Sequence, residues 1–261
     1  MNILEVSGVK KIYTSRLGSN RVEALKNVSF TVQQGEYIAI MGESGSGKTT
    51  LLNILAALDK PTSGIVKLSG QNLSGIREKD IAAFRRDNLG FVFQDFNLLD
   101  TFTARDNILL PLVLMGTPQG DMEKRLLPAA KQLNVEALLD KYPYELSGGQ
   151  KQRIAAARAV ITNPKMLLAD EPTGALDSKA SDELLDMFAR LNAAGQTILM
   201  VTHSVKAASR AGRVLFIKDG EVFHQIYRGQ SSGETGEAGD RDMYRRISDT
   251  LTVISSGGDV R

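Results

Sequence analysis

Along this chain, short apolar runs alternate with stretches in which apolar residues recur every three or four positions. Tyr37-Ile38-Ala39-Ile40-Met41 is a continuous apolar run, the pattern of a strand buried on both faces. Lys165-Met166-Leu167-Leu168-Ala169 and Thr197-Ile198-Leu199-Met200-Val201 repeat it, and between them Leu184, Met187, Phe188 and Leu191 have helical spacing. Strands alternating with helices predict a mostly parallel sheet covered by helices on both faces. Ahead of this core, Val28, Phe30 and Val32 alternate with Ser29, Thr31 and Gln33, as in a half-buried strand of an antiparallel sheet. Ile3, Val6, Val9 and Ile12 suggest a less regular strand, with a turn at Gly18-Ser19-Asn20 between the two. After Leu51 to Leu55, spaced as a helix, Lys60-Pro61-Thr62-Ser63-Gly64 is a stop and Ile65 to Leu68 a further short strand.

From Glu78 to about Tyr144 the pattern turns helical. Ile81 and Phe84 mark one short helix. Lys124 to Asp140 predicts another, with Leu126, Leu127, Leu133, Leu138 and Leu139 on its apolar side and Pro128 near its start. The expectation is an α/β core with an antiparallel β-subdomain and a helical insertion over about 78–160. Arg213 to Lys218 and Glu221 to Gln225 form a terminal hairpin turning at Asp219-Gly220. The core then spans 1–228. Residues 229–236 are linker-like, and Met243, Ile247, Leu251 and Ile254 line one face of a short helix, an appendage outside the catalytic core.

Composition narrows the classes. The 261 residues are 42% hydrophobic and 24% charged, with net charge +2, so nothing favours non-specific binding to nucleic acid, and no nucleic-acid partner is expected. Cysteine is absent, which removes disulfide and thiolate chemistry. Met1 to Glu5 lacks a signal-peptide pattern, and the longest apolar segment, Ile108 to Met115, is too short to span a bilayer.

The chemistry begins at Gly42-Glu43-Ser44-Gly45-Ser46-Gly47-Lys48-Thr49-Thr50, between a strand and a helix. Glycines let successive N–H groups turn inward, and the helix start adds about half a positive charge, so the stretch reads as a P-loop for phosphates. Lys48 reaches the outer phosphates and the Thr49 hydroxyl suits Mg²⁺. Met166-Leu167-Leu168-Ala169-Asp170-Glu171 is an apolar strand ending in acids, at the edge where open α/β sheets bind ligands. Asp170 suits the Mg²⁺ shell and Glu171 the deprotonation of an attacking water. Leu146-Ser147-Gly148-Gly149-Gln150 is a second anion-binding helix start. By itself it also fits an ordinary serine N-cap.

Taken together, these motifs resemble the nucleotide-binding subunit of an ATP-binding-cassette (ABC) transporter, whose LSGGQ signature stands here complete. The resemblance covers about residues 1–225 and implies the ABC ATPase fold, with ATP and Mg²⁺ as ligands. It implies that Tyr13 stacks on adenine, that Gln94 touches Mg²⁺ and the attacking water, that Asp177 lies in a loop crossing a dimer interface, and that His203 contacts the γ-phosphate. Gly174 replaces the family's commoner serine, and His224 matches nothing. A head-to-tail pair of subunits is implied, each ATP lying between one P-loop and the other chain's signature, together with a separate membrane permease that holds the pair at the cytoplasmic face. Thr202 to Ala211, His224 to Gly229 and Met243 to Ile247 resemble the bacitracin-type peptide-resistance branch, in which a sensor kinase often pairs with the permease. Lipoprotein-releasing and macrolide-export ATPases share the core, and soluble ABC ATPases acting on ribosomes or DNA are a more distant alternative.

Overall fold

The computed structural model describes residues 1–14, 21–229 and 236–255. The turn expected at 18–20 and most of the linker fall outside them. In chain order the elements begin with β1 (Asn2–Thr14), β2 (Arg21–Gln33), β3 (Tyr37–Met41), α1 (Lys48–Leu55), β4 (Ser63–Leu68) and β5 (Gln71–Asn72). There follow α2 (Glu78–Asn88), β6 (Leu89–Phe93), α3 (Ala104–Leu114), α4 (Gln119–Gln132), α5 (Gly148–Val160), β7 (Met166–Asp170) and α6 (Ser178–Ala193). The chain continues with β8 (Thr197–Val201), α7 (Val205–Ala208), β9 (Arg213–Lys218), β10 (Glu221–Tyr227) and α8 (Gly236–Ser255). Two compact units result, one from Met1–Ile76 with the chain after Leu199, the other from Arg77–Ile198.

In the first unit the strand order is β5-β4-β1-β2-β10-β9-β3. β1, β2, β4 and β5 pair antiparallel, whereas β3 runs parallel to β9 and β10 parallel to β2. The period of three in Ile3, Val6 and Val9 has a physical cause. The register of β1 against β2 slips between Asn2 and Leu4 and again between Val6 and Val9, where Gly8 takes φ 58°, so all three apolar side chains end up buried on a strand that cannot alternate cleanly. Val28, Phe30 and Val32 are buried as the alternation predicts. Asp219 and Gly220 both take positive φ, the requirement of a two-residue hairpin turn between β9 and β10.

The tail, expected as a helical appendage outside the catalytic core, is a helix docked on the first unit. α8 packs against α7 and β10 within the first unit, burying Met243 and Ile247 completely. Burying such side chains stabilises by roughly 1.5–3 kcal/mol each. Asp240 pairs with both Arg210 and Arg228, at 3.2 and 2.7 Å, and Arg246 donates to the Tyr227 carbonyl.

In the second unit β6 lies parallel to β7, with α5 packed on β6 and on α3 and α6. The stretch expected as a helical insertion is interrupted by β6, Leu-Gly-Phe-Val-Phe, whose glycine and aromatics disfavour helix. The helix expected over Lys124–Asp140 also differs: α4 starts at Gln119, just after Pro118, and ends at Gln132. Asn134 takes φ 54°, which stops the helix, and Leu138 falls in a separate 3₁₀ turn. Pro128 lies inside α4 and Leu127 is exposed, while Leu126, Ala129 and Ala130 form the buried face.

Candidate functional site

In the first unit, the wholly buried β3 delivers the chain into the P-loop. Two of its glycines are demanded by packing from behind. A Cβ at Gly42 would lie 2.2 Å from the Ile217 carbonyl oxygen, and one at Gly47 2.5 Å from that of Ala24. The hairpin turn adds a brace, the Gly220 N–H donating to the Ser46 carbonyl at 3.2 Å. On its other side the loop is open: Gly45 takes φ 80° with no atom near a would-be Cβ. α1 begins at Lys48 after Gly47, and no side chain caps it. Its first N–H groups therefore have no capping side chain to compete with a ligand oxygen, which fits a phosphate. Lys48 Nζ donates to the Gly42 and Glu43 carbonyls, at 2.8 and 2.7 Å, arching over the loop. Thr49 is exposed in the first turn of the same helix, an oxygen donor of the hard kind that Mg²⁺ takes.

Tyr13 and His203 belong to this unit too. The Tyr13 hydroxyl donates to Asp59 Oδ2 at 2.8 Å, and Lys11 Nζ sits 4.8 Å over its ring. Burial first, and the Asp59 carboxylate second, push the Tyr13 phenol up, while Thr50 of the P-loop pulls it the other way. Tyr13 thus stands at the P-loop helix as a residue 42% exposed, an aromatic available to a flat base. The Thr202 N–H donates to the Ile40 carbonyl at 3.1 Å, placing the end of β8 beside the strand that feeds the P-loop. His203 follows, exposed, and Ser204 then caps α7.

The second unit assembles the other predicted residues. Phe93 of β6 faces Asp170 of β7 in register, so Gln94 and Glu171 leave neighbouring strand ends. Glu171 takes φ 45°, and its carbonyl accepts from the Gly174 N–H at 2.9 Å, closing a tight turn. Glycine at 174 has a local reason: a Cβ there would come within 3.0–3.3 Å of the Gln94 side chain. Ser147 caps α5 in a reciprocal box, its Oγ accepting from the Gln150 N–H while Gln150 Oε1 accepts from the Ser147 N–H. A Cβ at Gly149 would lie 2.8 Å from Ala180 Cβ, so the signature glycine lets α5 approach α6. Asp177 caps α6 through the Ala180 N–H at 2.8 Å.

Two residues that the motifs do not name hold this cluster together. Gln152, fully buried, donates from Nε2 to the Phe93 carbonyl at 3.0 Å and to the Pro172 carbonyl at 2.7 Å. One side chain on the signature helix thereby ties the strand end before Gln94 to the turn after Glu171. Arg158 donates to the carbonyls of Phe96 and Asn97, both at positive φ, and so fixes the loop that follows Gln94. Gln152 left a trace in the sequence. It falls on the face of α5 shared by the buried Ala155, Ala156 and Ala159, an apolar position held by an amide.

A glycine phosphate loop with its lysine in one unit, and a strand-end acid pair in the other, define the class of P-loop nucleotide hydrolases. Comparison with known proteins gives the family: the ABC transporter profile matches residues 25–174. The chain belongs to the ABC transporter family, as an ATP-binding subunit that hydrolyses ATP. YvcR, an ABC transporter ATP-binding protein of Bacillus subtilis (strain 168), is 48% identical over 99% of this chain and 96% of its own. The bacitracin export ATP-binding protein BceA of Halalkalibacterium halodurans is 47% identical over 90% of this chain and 92% of its own. Among solved structures, the ATP-binding cassette MJ0796, a dimer in a post-hydrolysis state bound to ADP and phosphate, is 39% identical with a TM-score of 0.77, covering 86% of this chain and 98% of that one. Among the described residues no helix is long and apolar enough to cross a membrane.

Proposed function

We propose that this chain works as a head-to-tail pair on the cytoplasmic face of the membrane, driving a separate permease that removes an antimicrobial peptide of the bacitracin kind. Each ATP then lies between the P-loop of one copy and the Ser147–Gln150 signature of the other. Lys48 and the amides of residues 42–50 bind the phosphates, Tyr13 stacks on adenine, and His203 contacts the γ-phosphate. Glu171 orients and deprotonates the attacking water, with Gln94 beside it, and Asp177 lies at the pair's interface. Thr49, Gln94 and Asp170 would hold Mg²⁺, which neutralises phosphate charge when bound. ATP joins the two copies because its γ-phosphate completes the contacts to Ser147 and Gly149, and hydrolysis releases them. A sensor kinase joins through the permease.

The observation that carries the permease reading is a groove in the second unit, about 340 Å³, lined by Leu110, Pro111 and Leu114 of α3 with Arg85, Arg86 and Arg158. Leu114 is 63% exposed there. Apolar residues beside arginines suit an amphipathic helix with acidic side chains, and the identity to a bacitracin exporter supports a permease as its owner. The test is affinity purification of the tagged chain from detergent-solubilised native membranes. A permease with a large extracellular domain and many more than four spans is expected, and Leu114→Asp should abolish its recovery without changing ATP hydrolysis by the purified chain. A four-span permease would replace peptide resistance by lipoprotein release or macrolide export. Recovery with ribosomes or DNA-repair proteins would overturn the transport reading.

A further inference from the structure

The tail after Arg228 has no part in the reading above, yet α8 reaches the P-loop. A cavity of about 160 Å³ within the first unit is lined by P-loop residues 42–46, by Phe216 and Phe223 of the β9–β10 hairpin, and by Leu251 and Ile254 from the last turns of α8. At its other end the helix is fastened by Asp240 to Arg210, two residues beyond α7, the helix that follows His203. From Asp240 to Ile254 a helix covers about 20 Å. One element therefore runs from the segment bearing His203 to the back of the phosphate loop.

We infer that α8 is a positioning element of the nucleotide site, with Leu251 and Ile254 closing the space behind the P-loop and so holding the loop in its phosphate-binding form. The inference rests on the reading of residues 42–50 as the phosphate site. The physical argument concerns what can enter from behind. Phe216 is fully buried, and Ser46 Oγ, also buried, has no hydrogen-bond partner among the described residues. The loop is braced by the Gly220 N–H on Ser46 O and by the close fit of Gly42 on Ile217. With Leu251 and Ile254 withdrawn, water reaches both the aromatic floor and the unpaired Ser46 hydroxyl. Residues 42–46 then lose the apolar side chains that back them and sample other backbone conformations, so fewer molecules hold the amides ready for phosphate and nucleotide affinity falls. Linkage then requires the converse: nucleotide in the P-loop tightens the docking of α8 by the same factor.

Two measurements on the full-length chain test this. The first compares binding of a fluorescent ATP analogue by wild type, by the Leu251→Asp/Ile254→Asp double variant and by Tyr244→Asp, on the exposed side of the same helix. The tip variant should bind about fivefold or more weakly, and Tyr244→Asp should bind as wild type. The second needs no substitution at the tip: amide hydrogen exchange across 249–254 in the wild-type chain should slow when ATP is added, and should not respond in Lys48→Ala. Unchanged affinity in a folded tip variant, or exchange in 249–254 indifferent to ATP while the wild type binds it, overturns the inference and leaves α8 a brace for stability. A wild-type chain that binds no nucleotide would fail the P-loop reading itself.

Discussion

Glu171 holds a side chain in a backbone conformation that favours glycine, φ 45°. Such a residue costs of order 1 kcal/mol or more, a strain that persists where chemistry demands the side chain. Glu171→Gly should therefore raise unfolding free energy by about 1 kcal/mol while ATP turnover falls by orders of magnitude. Glu171→Gln keeps the strain and the ATP, loses turnover, and should accumulate an ATP-bound pair on size-exclusion chromatography. Normal turnover in either variant would remove Glu171 as the base. A second residue reports on pH. Burial first, and Arg246 second, hold the His224 imidazole below its ordinary value. The unfolded chain then protonates first, so this contribution is complete above about pH 6.5 and is lost as pH falls from there toward the lower folded value. His224→Gln should flatten that part of the curve of Tm against pH, and an unchanged slope would assign it to other groups.

Among the elements, α5 does most to organise its unit. Its first turn is the signature, its second carries Gln152, and its last carries Arg158, so one helix meets the Gln94 strand, the Glu171 turn and the loop after Gln94. The seat is close: a Cβ at Gly90 of β6 would lie 2.2 Å from the Ala159 carbonyl oxygen. Gln152→Leu strands two carbonyl acceptors and should cost about 2–3 kcal/mol in urea unfolding. Its kcat should fall more than its affinity for ATP, because the P-loop is untouched while Gln94 and Glu171 lose their tie. A variant with kcat intact and only stability reduced would make Gln152 a fold residue alone.

For the whole molecule, the motifs proposed to meet ligands were legible in the sequence because phosphate chemistry demands fixed residue types at fixed spacing. Gly42 to Thr50, Asp170-Glu171 and Ser147 to Gln150 could be read without a structure. The strands on either side of them were legible too, since five apolar residues in a row leave few other folds. What supports the site was not legible. Gln152, Arg158 and Asp59 act through partners roughly 20 to 60 positions away, and spacing along the chain does not encode such pairs. The place of α8 was hidden for the same reason, although its apolar face was plain. Pairing over long separations also bears on how the protein is made. β3, which feeds the P-loop, takes β9 as a neighbour, a strand synthesised roughly 170 residues later. At ribosomal speeds that is a delay on the order of ten to thirty seconds. The phosphate loop is among the first motifs to leave the ribosome, and the strand that feeds it is among the last to gain its neighbour. Through that interval a growing chain carries the motif without the sheet that supports it.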